Sequence, residues 1–212
     1  MGVNLPKFTK ITSPRTRTDW EADAEVAIDT AISAALNNWD LGGLLSGAAV
    51  GNMSRHVVTG NVSALTTAVM TSAAIPLVAG QVVTNLTFIS ATTATNTPTN
   101  YWFALYSPAG ALLRQTADQT STAWGANTVM TKALATTYTV PTTGIYYAAI
   151  MVKATTPPTL AGSTLHNAVL SGAMVTGMKV LSQTSDSALT ATAPATIGTP
   201  TAIAAVPFVI AN

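Results

Sequence analysis

The stretch Tyr101-Trp102-Phe103-Ala104-Leu105-Tyr106 runs into Ser107-Pro108-Ala109-Gly110 and then into Ala111-Leu112-Leu113-Arg114-Gln115. Aromatic residues in this density suit a pleated, packed surface. Pro and Gly stand where a type I turn prefers them. The segment therefore reads as a strand, a tight turn and a returning strand, which is a β-hairpin.

Working outward, Val82 to Ile89 is β-branched and aromatic with partial alternation, and reads as an earlier strand. Thr137 to Val140, Pro141-Thr142-Thr143-Gly144 and Ile145 to Val152 form another strand–turn–strand unit. Ala168 to Leu181 is expected to hold one or two more strands. Ala205 to Ile210 reads as a closing strand, with Pro207 placing it at an edge or a bulge. The Thr/Ala/Pro-rich stretch Ser185 to Pro200 reads as a loop or arm on the surface. Short strands with turn signals roughly every 8–15 residues predict a mainly β fold, an antiparallel, jelly-roll-like β-sandwich.

Charge divides the chain. Of 212 residues only 8% are charged, against about 25% in ordinary soluble domains. Six of the eight acids lie in the first forty residues: Asp19, Glu21, Asp23, Glu25, Asp29 and Asp40. Residues 1–17, with Pro6 and Pro14, read as an extended arm. Residues 18–39 read as an amphipathic helix. Thr18 and Glu21 match a capping box, acids crowd its N-terminus, and Gly42-Gly43 ends it. Ile28, Ile32, Leu36 and Trp39 fall on one apolar stripe. With Trp20 they are the candidate anchoring or oligomer contacts. The expected organisation is an arm and anchoring helix over 1–40, a linker or first strands over 41–74, and the β-sandwich over 75–212.

The chain offers little chemistry. It has no cysteine, so neither a disulfide nor a thiolate metal site is available. His56 and His166 are isolated, and Asp118 and Asp186 are the only acids beyond residue 40. No nucleophile elbow, phosphate loop or zinc-protease motif is present. No catalytic, cofactor-binding or metal-binding residue is expected, and no cofactor. A net charge of +1 argues against nucleic acid as a partner. The lack of any apolar run of ~18 residues argues against a membrane span. The opening residues have no apolar core of a secretory signal. Aromatics are the remaining candidates. Neighbours in a strand point to opposite faces, so one of Tyr101/Trp102 and one of Tyr146/Tyr147 should face outward. Trp102, Tyr106 and Trp124 could stack on sugar rings. The competing reading is that they pack in the core or at an interface.

Four phrases carry a resemblance: Asn100 to Tyr106, Leu113 to Asp118, Thr122 to Asn127 and Gly144 to Ile150. Over roughly residues 75–160 the chain resembles a domain of structural proteins from phages that infect actinobacteria. The hairpin and the Val140-to-Tyr147 unit also resemble generic carbohydrate-binding-module sandwiches. The resemblance implies a non-enzymatic virion protein, either a capsid decoration or head-fibre protein or a minor tail or baseplate protein. Its expected partners are major capsid or tail proteins and further copies of itself, with a homotrimer the expected form. A host surface glycan is the expected ligand if the tail reading holds.

Overall fold

A computed structural model describes residues 49–212. The arm, the helix and its candidate contacts Trp20, Ile28, Ile32, Leu36 and Trp39 lie outside the described residues, as does the first part of the linker.

The described part is mainly β. Its strands are β1 (Val50–Gly51), β2 (Gly60–Asn61), β3 (Met70–Leu77), β4 (Val82–Ile89), β5 (Asn96–Tyr106), β6 (Leu112–Gln115), β7 (Val129–Thr139), β8 (Gly144–Thr156), β9 (Ala161–Thr164), β10 (Ser182–Ser185), β11 (Thr201–Ala202), β12 (Ala205–Pro207) and β13 (Val209–Ala211). A six-stranded sheet has the order β11-β10-β3-β8-β5-β6. A four-stranded sheet has the order β1-β13-β4-β7, and a small sheet the order β12-β9-β2. The pairings in all three are antiparallel. The two larger sheets share a core, which is consistent with a β-sandwich.

Alternation along β5 and β8 builds that core. Tyr101, Phe103 and Leu105 on β5 and Tyr146, Ala148, Ile150 and Val152 on β8 point to one side. They pack with Val83, Leu86 and Phe88 of β4 and with Val209 and Ala211 of β13. Near one edge β7 leaves its ladder: Val83 pairs with Tyr138, but Asn85 pairs with Ala133. In that irregular stretch Leu134 is buried in the core and bridges to Thr116 beyond β6. This links the two sheets on the side where the strand would otherwise be a free edge.

The 101–115 hairpin forms as expected, with β5 and β6 side by side. The 137–152 unit forms two strands in different sheets, so its turn is an arch between layers. The closing strand is divided. β12 pairs with β9, and β13 pairs with β4. Pro207 has no N–H to give a ladder, and the chain changes sheets just after it.

Ala168–Leu181 holds no strand, contrary to expectation. It contains a 3-10 turn at Ala168–Leu170 and a closed loop. Gly177, at φ +88°, takes a left-handed conformation that no extended strand contains.

Candidate functional site

The outward faces of β3, β8 and β5 line up in rows. Met70, Met151 and Trp102 are in register across the three strands, as are Ala74, Tyr147 and Tyr106. Between these rows lies a line of small residues: Ser72, Ala149 and Ala104. Large–small–large rows across a sheet make a trough between two ridges.

Residues 186–200 fill that trough as a strap. Trp102 Nε1 donates to the Thr190 carbonyl at 2.7 Å, and Tyr106 Oη donates to the Pro194 carbonyl at 2.9 Å. Gln115 clasps the strap twice. Its Nε2 donates to Ala191 O and its Oε1 accepts from Ala193 N, both at 2.7 Å. Backbone bonds from Leu189 to Ala68, from Leu112 to Ala195 and from Ile197 to Gly110 hold its length. Leu189, Ala193 and Ile197 complete an apolar cluster with Met70, Trp102, Tyr106, Tyr147 and Met151.

This corrects the expectation for the aromatics. Trp102 and Tyr106 do lie on the outer side of their sheet, yet both are fully buried, and Tyr147 nearly so. Outward on a sheet is not exposed when a second layer covers it. Trp124 sits on the opposite side of the six-stranded sheet, 5.9 Å from Phe103 and 6.0 Å from Tyr101 between ring centres. It too is buried, with its Nε1 donating to Thr128 O. The three candidate sugar-stacking residues therefore neither converge nor offer a ring face to solvent.

Burial raises the Tyr106 phenol well above its ordinary range, and the negative charge of Asp186 adds to the rise. Burial raises the Tyr101 and Tyr147 phenols as well. A raised folded-state value means that the folded chain holds these protons more tightly than the unfolded chain. The stability they contribute is full below about pH 10, the unfolded value, and is lost as pH rises toward the folded value. Urea midpoints measured across the alkaline range should therefore fall from about pH 10 upward. Tyr106→Phe should flatten part of that fall. A Tyr106→Phe chain with the wild-type alkaline slope would show that this phenol does not carry the effect.

Polar side chains cluster where β6 and β7 approach. Asn100 Nδ2 donates to Asp118 Oδ2 at 2.6 Å, and Lys132 Nζ donates to Gln119 Oε1 at 2.9 Å. Lys132 lies over the Tyr101 ring and Arg114 over the Tyr138 ring, 5.9 and 5.7 Å from the ring centres. The Lys132 and Arg114 contacts reach from one large sheet to the other. A shallow depression of about 260 Å³ lies between Asn61, Ser90, Thr92 and Asn127. Asn61 is already engaged with Thr92 and Thr159 through both ends of its amide.

His56 and His166 are both exposed. Among the described residues no group of three His, Cys, Asp or Glu side chains could hold a metal.

The feature that sequence reasoning missed is the 168–181 loop. Val169, Leu170, Met174, Val175, Met178 and Leu181 are all exposed on it. The available signal was an apolar stretch broken by Gly172 and Gly177, which a strand would not tolerate well. No protein-family model matches the chain, and no curated protein matches it significantly.

Proposed function

We propose that the chain is a non-enzymatic structural protein of a bacteriophage particle, a capsid decoration or head-fibre protein that docks through its N-terminal arm and acts as a homo-oligomer. Its location would be the virion. The β unit is taken as a jelly-roll-like sandwich, a reading supported by the chain's repeated crossing between sheets from β3 to β5 and from β6 to β8. The observation that carries the proposal is the strap. The aromatic ridge that could have served as a sugar platform is sealed by the chain's own residues 186–200. A sealed ridge suits a building block better than a receptor-binding module. The charge-poor composition suits permanent contact with neighbours, because few charges would need to be stripped of water there.

Gold-labelled antibody electron microscopy on particles tests the reading. Label over the head is the expected result. Label confined to the tail tip would replace it with the minor-tail, glycan-binding alternative. Absence of label, with the epitope accessible in the free protein, would count against a surface virion protein. A chain lacking residues 1–40 should keep the cooperative unfolding of the β unit yet lose attachment to particles. Full occupancy by that chain would refute anchoring through the arm.

A further inference from the structure

The 168–181 loop is fixed at its root and apolar over its surface. Ser171 is fully buried. Its Oγ donates to the Ser182 carbonyl and accepts from the Ser182 N–H, both at 2.9 Å. Leu181 N donates to Ser171 O at 2.7 Å, and Ala74 N of β3 donates to Leu181 O at 2.8 Å. A turn from Val175 to Met178 closes the far end. The loop is thus held against the six-stranded sheet, while Val169 is 69% exposed and Val175 63% exposed.

Six large apolar residues on one short loop, each 42–69% exposed, leave on the order of 500 Å² of surface open to water. A stable interface takes about 800 Å² from each partner, with an apolar centre and a polar rim. The loop is therefore of the size needed for the apolar centre of such an interface. Its charge distribution indicates the partner. Near a symmetry axis each residue faces its own copy, so a charge there repels itself while apolar groups meet apolar groups. The loop has no acid, and its one base, Lys179, keeps its charge but is fixed against the 107–110 turn by donating to the Pro108 carbonyl at 2.9 Å. Met174 and Met178 can adjust their shape to a like surface.

We propose that the 168–181 loop is a self-association surface that packs on the same loop of other copies of this chain around a rotation axis. The inference deepens the homo-oligomer part of the proposed function and does not depend on the virion part.

Sedimentation equilibrium and cross-linking of the full chain test it. The wild type should sediment as a closed oligomer. Met174→Glu with Val175→Glu should weaken association about 100-fold or more, since like charges brought together cost several kcal/mol. The mass should then fall toward the 21.6 kDa of one chain. Both side chains are exposed, so far-UV circular dichroism should not change. The natural chain lacks cysteine, so Val175→Cys gives a single reactive site. A short bis-maleimide should couple it between copies, whereas Ala135→Cys on the exposed part of β7 should not couple. A monomeric wild type, a double variant of unchanged mass, or a Val175→Cys chain that couples no better than Ala135→Cys would each overturn the assignment. An oligomer that survives the double variant would leave the virion reading standing and move the oligomer contact elsewhere.

Discussion

Trp102→Ala is expected to lower the unfolding free energy by about 3–5 kcal/mol, the range for removing a large buried aromatic side chain. Trp102 is fully buried in the ridge that also holds Met70 and Met151. Its removal leaves a cavity under the strap and strips the Thr190 carbonyl of its donor at 2.7 Å. Trp102→Phe should cost less, because much of the apolar area stays and the hydrogen bond contributes about 1 kcal/mol net. Urea unfolding measures both. Limited proteolysis supplies a second readout. The strap contains no strand, so loosening its central anchor should speed cleavage within residues 186–200 well before the sheets are cut. A Trp102→Ala chain that loses under about 1 kcal/mol and keeps its resistance to protease would mean that the strap does not complete the core. The ridge would then be open to a ligand, and the glycan reading would regain its geometric basis.

Gly162→Ala should destabilise by about 3 kcal/mol, the upper part of the range for overpacking. Gly162 lies in β9, paired with Pro207 of β12 on one side and Gly60 of β2 on the other. A methyl group there would run into the carbonyl oxygen of Val206, and would lie 2.9 Å from Val62 Cγ1 and 3.0 Å from Pro207 Cα. Two of these three atoms belong to backbone, which cannot turn aside as a side chain can. The strain falls next to the point where the chain passes from β12 to β13. β13 lines the main core through Val209 and Ala211, so the damage should reach the whole unit. Gly144→Ala is the matched control. Its methyl would meet only Pro108 Cγ, at an ordinary 3.7 Å. It should be neutral within about 0.5 kcal/mol, or slightly stabilising through the unfolded state. Thermal melts of the two variants should therefore separate clearly. Equal melting temperatures would show that β12 can shift to admit a methyl group, and that the close approach at Gly162 is not required.

Much of the fold was legible because it rests on local chemistry. Val82–Ile89 forms the expected strand because its β-branched and aromatic residues suit a pleat, and the 107–110 turn forms where Pro and Gly stand. Errors arose where one segment's conformation depends on another. Val169 and Val175 invite a strand by propensity, but a 3-10 turn occupies Ala168–Leu170 and Gly177, at φ +88°, turns the chain back. Ala205 to Ile210 reads as one strand locally, yet it serves two sheets on either side of Phe208. The candidate sugar-stacking residues failed for a related reason. Alternation told which side of the sheet Trp102 would occupy, but nothing near it in sequence told what covers that side. The cover comes from 88 positions away, through the Trp102–Thr190 and Tyr106–Pro194 contacts.

By itself the sequence determined a mainly β chain with a hairpin at 101–115, a scarcity of charge beyond residue 40 and an absence of cysteine chemistry, because each follows from residue type and near neighbours. Only the tertiary structure decided that the Thr/Ala/Pro stretch is a strap that seals an aromatic ridge, and that six apolar side chains are left in water on the loop at 168–181. Burial is set by what the rest of the chain places on top of a residue, and local pattern does not carry that information.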